Sequence, residues 1–275
     1  MPRYHWHDLP AGTRAAVEEH TGPVELAESV GVDSLSALVT ILRTGDGDVF
    51  CKGIPIDDRQ SWQHRNEARG NVYVRAFAPR LRWHVERDGW LLLGFDPVAG
   101  RHIDLTPGSP DLPVLAATLT GISTTRVPPS GGLIASIRQS WGRVVDPRLI
   151  AGDALVHGDA APSNFLTDGT TVRVVDWAKM CHGAPWVDTT FMAIRLVHAG
   201  HTPAEAEQWA NSVPAWREAP RGPVTALAGT FAKYCRMVAE RTGSTARADL
   251  ADAAHRWVQY RERPAADLVQ VVFKF

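Results

Sequence analysis

VHGDAAPSNFLTDGTTVRVVDW, residues Val156–Trp177, decides the reading of this chain. Two apolar runs, Ala154–Val156 and Val172–Val175, enclose a dense polar set of His157, Asp159 and Asn164, with Asp176 at the far end. Asp159 and Asn164 are five residues apart, and Asp176 follows Asp159 by seventeen. The Asp168-Gly169 pair predicts a hairpin tip that folds Asp176 back beside Asn164. Two carboxylates and an amide carbonyl suit a magnesium–nucleotide site. The ion takes hard oxygen ligands, and a carboxylate orients an attacking hydroxyl and accepts its proton. Asp159 is the candidate base, and Asn164 and Asp176 are the candidate metal ligands. His157 reads as a brace for the loop. HGD alone is a weak signal, but HGD with Asn five residues on, a hairpin and then VVDW is a specific one.

Upstream, the pattern predicts a clamp for the nucleotide. Asp8-Leu9-Pro10 opens a first helix, with Asp8 as its cap, that stops near Thr21-Gly22-Pro23. Strand-like runs follow over Val24–Val32, Leu35–Arg43 and Asp48–Lys52, the last two joined by the TGDGD turn at Thr44–Asp48. Small residues Gly31, Ser34 and Ser36 in the first bend let backbone amides approach phosphate oxygens, although a simple hairpin turn needs no more than these residues. Lys52 shares a strand face with Phe50 and Ile54, because side chains alternate, and an inward-facing lysine needs an anionic partner. Glu67, in the helical run Gln60–Tyr73, is that partner in the arrangement by which kinases hold phosphates. Leu81–Val85 and Trp90–Phe95 form a hairpin about Asp88-Gly89. Gly94–Gly100 reads as a hinge, with Gly94, Phe95 and Asp96 offering backbone groups to an adenine edge.

Downstream the pattern is helical: Leu112–Gly121, Leu133–Val145, Thr189–Ala199, a capping box at Thr202-Pro203-Ala204-Glu205, then Pro223–Arg241 and Ala246–Arg261 broken at Gly243-Ser244. Leu268–Phe275 is an apolar tail. The expected fold class is α+β and bilobal. An N-terminal antiparallel-sheet lobe, residues 1–97, would clamp the nucleotide, and a mainly helical lobe, residues 98–275, would carry catalysis and the acceptor. With 44% hydrophobic and 21% charged residues and a net charge of −1, the composition is that of a globular protein without a nucleic-acid or membrane-surface partner. Three scattered cysteines give no disulfide framework and fit a cytoplasmic setting. The opening MPRYHWHDLP lacks the charge-then-apolar order of a signal peptide.

The motifs HGDAAPSNFL, VVDW and GAPWVD, with the opening WHDLP, resemble the aminoglycoside phosphotransferase family, whose fold is protein-kinase-like. The resemblance implies transfer of the γ-phosphoryl group of ATP or GTP, with Mg2+, to a hydroxyl of a small molecule. It assigns Asp159 as base, Asn164 and Asp176 to the metal, Lys52 and Glu67 to the phosphates, and Asp188 to support of the catalytic loop. The family often carries histidine where this chain has Ala161, and its glycine loop is here poor in glycine. The acceptor is expected to be an antibiotic or a small metabolite, and the chain a monomer or homodimer; a catalytically inactive nucleotide-binding module is the rival reading. Residues 202–263 hold nine Arg and Lys against seven acids, a balance that does not favour a polycationic acceptor. Trp177, Trp186, Trp209, Trp216 and Trp257 are either core or stacking surfaces for a sugar or nucleoside ring.

Overall fold

The computed structural model describes residues 3–31, 35–127, 135–136, 141 and 145–263. The chain forms a mixed α+β fold in two compact units, one of residues 1–100 with 173–179 and one of 101–172 with 180–275. Residues 173–179, which carry Asp176, thus cluster with the N-terminal sheet rather than with their sequence neighbours.

The first unit is built on a five-stranded antiparallel sheet of order β1-β2-β3-β5-β4. The strands are β1 (Val24–Ser29), β2 (Leu38–Thr44), β3 (Val49–Pro55), β4 (Leu81–Arg87) and β5 (Trp90–Phe95). Alternation along β3 gives the sheet two apolar faces. Val49 and Cys51 join Leu38, Leu42, Trp83 and Leu92 in a core that also takes Val17 of α1 (Ala11–Thr21). Phe50 and Ile54 join Leu91, Leu93 and Phe95 on the other face, against Ala68 of α2 (Ser61–Val74). Lys52 shares that second face, with its ammonium 5.8 Å from the centre of the Phe95 ring.

Two local expectations are corrected here. Asp8 does not cap α1, whose N-cap is Pro10; it closes a 3-10 turn over Trp6–Asp8 by accepting from the His5 amide at 2.7 Å. Gly94 does not end its strand. It pairs with Cys51 on one side and Trp83 on the other, and a Cβ there would lie 2.2 Å from the Trp83 ring. Glycine is thus required by close packing rather than by a bend.

In the second unit, β11 (Cys181–Gly183) runs parallel to β7 (Ala135–Ser136) and antiparallel to β8 (Ala154–Val156). The helix expected over Leu133–Val145 is interrupted by β7, because ladder bonds to β11 take residues 135–136 into a sheet; the rest of that stretch, apart from Trp141 and Val145, lies outside the described residues. So do Ser34 and the tail Leu268–Phe275. β6 (Arg101–His102) pairs with β9 (Phe165–Thr167). The helices are α3 (Asp111–Thr124), α4 (Val187–His198), α5 (Pro203–Ala210), α6 (Pro214–Arg217), α7 (Arg221–Thr242) and α8 (Thr245–Glu262). The Thr202–Glu205 capping box forms in full. Gly243 takes a left-handed φ of 70° to stop α7, and the Ser244 hydroxyl caps α8. Among the described residues no helix is long and apolar enough to cross a membrane.

Candidate active site

Lys52 is the centre of a charge cluster in the first unit. Its ammonium donates to Asp176 Oδ1 at 2.7 Å and lies 2.6 Å from Glu67 Oε2. Both contacts join the ammonium to a carboxylate at hydrogen-bonding distance, so each is a charge-assisted pair. The side chains of Lys52 and Glu67 are only 7% and 4% exposed, against 43% for Asp176, so Asp176 alone of the three is substantially exposed. Burial works against the lysine's charge, but the two carboxylates more than offset it and raise its pKa. Burial likewise raises the Glu67 pKa, opposed by the cation beside it.

The helix and the 173–179 segment are tied by more than this ion pair. Glu67 Oε1 accepts from the Trp177 amide at 3.2 Å, and Asn66 Nδ2 donates to the Ala178 carbonyl at 3.0 Å. Asp176 sits between these ties with a left-handed φ of 60°, a conformation that costs a non-glycine residue of the order of 1 kcal/mol.

The second unit holds the HGD loop by a different device. Asp188, in the first turn of α4, accepts from the backbone amides of His157 at 2.7 Å and Gly158 at 3.0 Å. Burial raises the Asp188 pKa, against the pull of His157 and of these two amides. The Gly158 carbonyl accepts from the Trp141 indole at 3.1 Å, while Gly158 itself needs a φ of 78°. His157 is fully buried, and its Nδ1 accepts from the Asp159 amide at 3.2 Å. The imidazole thus spans the turn that presents Asp159. Asn164 Nδ2 donates to the Asp159 carbonyl at 2.9 Å, which leaves Oδ1 as the atom a metal would meet. Among the described residues no group of three or more His, Cys, Asp or Glu could hold a metal ion. Magnesium held mainly by phosphate oxygens and water needs only one or two protein oxygens, and the Asn164 amide oxygen and the Asp176 carboxylate are each of the hard type it takes.

Residues 125–220, which carry all of Asp159, Asn164, Asp176 and Asp188, match the sequence model of the phosphotransferase enzyme family, APH. The fold is that of the aminoglycoside phosphotransferases. A thermostable mutant of aminoglycoside phosphotransferase APH(4)-Ia, in ternary complex with ADP and hygromycin B, matches with TM-score 0.58 and 16% identity over 91% of this chain and 99% of that one. The microcompartment-associated aminopropanol kinase matches with TM-score 0.62 and 14% identity, over 92% and 96%. Macrolide 2'-phosphotransferase MphH from Brachybacterium faecium matches with TM-score 0.54 and 18% identity, over 88% and 96%. A search of the curated proteins gives no match.

Within this phosphotransferase fold the remaining candidates fall unevenly. Gly94 and Phe95 spend their backbone positions in the β5 ladders, and the Asp96 amide donates to the Arg80 carbonyl at 3.0 Å. Trp177, Trp186, Trp216 and Trp257 are buried, the last two stacked at 5.8 Å under the Arg261 guanidinium. They are core, so no ring face among these four is open to an acceptor. Trp209 is half-buried and spends its indole N–H on the Leu112 carbonyl. Asn66 and Trp141 also hold these segments and are not among the residues that the motifs point to. Asn66 alone had a signal, its place beside Glu67 on the same helix.

Proposed function

We propose that the chain is a small-molecule kinase that moves the γ-phosphoryl group of ATP or GTP to a hydroxyl of an antibiotic. The observation that carries this reading is Lys52, buried, charged and gripped by Glu67, beside an Asp176 side chain that is 43% exposed. A cation in that setting is positioned for phosphate oxygens. Asp159 orients the acceptor hydroxyl and takes its proton, and His157 and Asp188 hold Asp159 in place. Asn164 Oδ1 and the Asp176 carboxylate are oxygens of the type that would hold magnesium, which would supply neutralisation of phosphate charge. Among the solved relatives, one structure carries ADP with hygromycin B and others are named for macrolides or aminopropanol, so acceptors vary within this fold. The near-even charge of residues 202–263 favours a neutral or weakly charged acceptor over a polycation.

The test is nucleotide consumption against a panel of hydroxylated antibiotics and small hydroxylated metabolites. Turnover is expected with wild type. Asp159→Ala should lose it by at least about a hundredfold while still binding nucleotide. Unchanged turnover in Asp159→Ala removes that residue from the mechanism, and turnover only with kanamycin-like polycations overturns the acceptor reading.

A further inference from the structure

Several buried polar atoms of the first unit have no hydrogen-bond partner among the described residues, and one of them, a ring nitrogen of His64, belongs to a titratable group on the helix that carries Glu67. His64 lies on α2 three residues before Glu67, so the two share a helix face. It is 3% exposed. Its Nε2 meets the Ser36 hydroxyl at 3.0 Å, and Ser36, just before β2, is itself buried. Its Nδ1 is fully enclosed and has no hydrogen-bond partner among the described residues. Buried polar atoms are paired in the great majority of cases, so an unpaired nitrogen on a titratable ring calls for a reason.

The protonation state can be read from the surroundings. Burial, reinforced by the nearby Lys52 ammonium and opposed by Asp176, lowers the His64 pKa to about 3, so the ring is neutral at working pH. A neutral imidazole carries one N–H. When the Ser36 hydroxyl donates to Nε2, that hydrogen sits on Nδ1, and the orphan is a donor in search of an anionic oxygen. Lys52 cannot serve, since it is a donor itself and already faces Glu67 and Asp176.

We propose that His64 is a nucleotide-phosphate ligand: anchored through Nε2 by Ser36, it donates Nδ1–H to a phosphate oxygen beside Lys52 once nucleotide binding opens the packing over Nδ1. The inference rests on the kinase reading. A neutral donor suits this place, because it adds a hydrogen bond without adding a second cation that would compete with Lys52 for its carboxylates.

Two substitutions separate the ring's two nitrogens. Glutamine extends its amide to the Nε2 position, keeping a partner for Ser36 but removing the Nδ1 donor. Asparagine places its amide near Nδ1 and gives up Ser36. The probe is ADP or GDP, whichever wild type binds more tightly, measured by calorimetry beside the phosphate-free nucleoside. His64→Gln should weaken the diphosphate about tenfold and leave the nucleoside unchanged, whereas His64→Asn should stay within about threefold for both. The reverse order would make His64 a brace for Ser36 and overturn the proposal, as would equal binding by wild type and both variants. If wild type binds neither diphosphate, the kinase reading itself fails. Nitrogen-15 histidine spectra of wild type give a check that needs no variant to fold. Nδ1 should be the protonated ring nitrogen, and its signal should move on adding the diphosphate. A ring protonated at Nε2 and unmoved by ligand overturns the proposal.

Discussion

Glu67 and Asp188 are carboxylates buried to nearly the same depth, and the chain retains them by opposite means. Glu67 is answered by a charge, the Lys52 ammonium 2.6 Å away. Asp188 is answered by dipoles, the backbone amides of His157 and Gly158. A charge can be removed by one substitution and restored by another. Backbone amides belong to the loop, so they cannot be substituted away. The first device therefore suits a site that must also exchange partners with a ligand, and the second suits a loop whose shape must not change. His64 is a third case, a titratable group that burial keeps uncharged.

The comparison can be broken most forcefully at Lys52. Lys52→Met strands Glu67 without its cation and should cost about 3–5 kcal/mol of unfolding free energy in urea titrations. Adding Glu67→Gln should return about 1–3 kcal/mol, because the stranded charge is then gone. A double variant no more stable than Lys52→Met alone would mean that Glu67 is not held by charge.

Asp188→Asn should cost less, about 2–3 kcal/mol, because one acceptor survives and one backbone amide is left facing an amide donor. No single second substitution should rescue it. Its melting temperature should fall with its turnover, and full activity in a destabilised variant would show that the loop does not depend on Asp188.

The smallest effect concerns pH. The usual histidine value is 6.5, and that of His64 in the folded chain is about 3. The unfolded chain therefore binds a proton that the folded one refuses. The stability this provides is complete above pH 6.5 and is lost as pH falls toward 3, at about 1.4 kcal/mol per unit. Between pH 7 and pH 5 wild type should lose about 2 kcal/mol more than His64→Gln, measured by chemical denaturation at the two pH values. Parallel losses would show that the ring is charged in the fold.

Much of the fold is legible in local pattern. Alternation over Val49–Ile54 places Lys52 on the face of Phe50 and Ile54, and Thr202-Pro203-Ala204-Glu205 writes its own cap, because period and capping chemistry are properties of neighbouring residues. Two of the misreadings share a cause. Ala135–Ser136 looks helical but becomes a strand because β11, far along the chain, offers it a ladder. Gly94 looks like a hinge but is a cavity for the Trp83 ring from the neighbouring strand. Neither partner is visible in a local window.

The sequence by itself pointed to a phosphotransferase and to candidate residues for its chemistry. HGD, Asn164 and VVDW name a chemistry through residue types and spacing, and both are local quantities. Only the tertiary structure decided how those groups are held. Long-range packing made Lys52 the shared partner of Glu67 and Asp176, and set Asp188 under two amides thirty or so residues away. It also buried His64 with one nitrogen tied to Ser36 and the other unpaired. Burial and pairing depend on which distant segments fill the space around a side chain, and that information is spread over the whole chain.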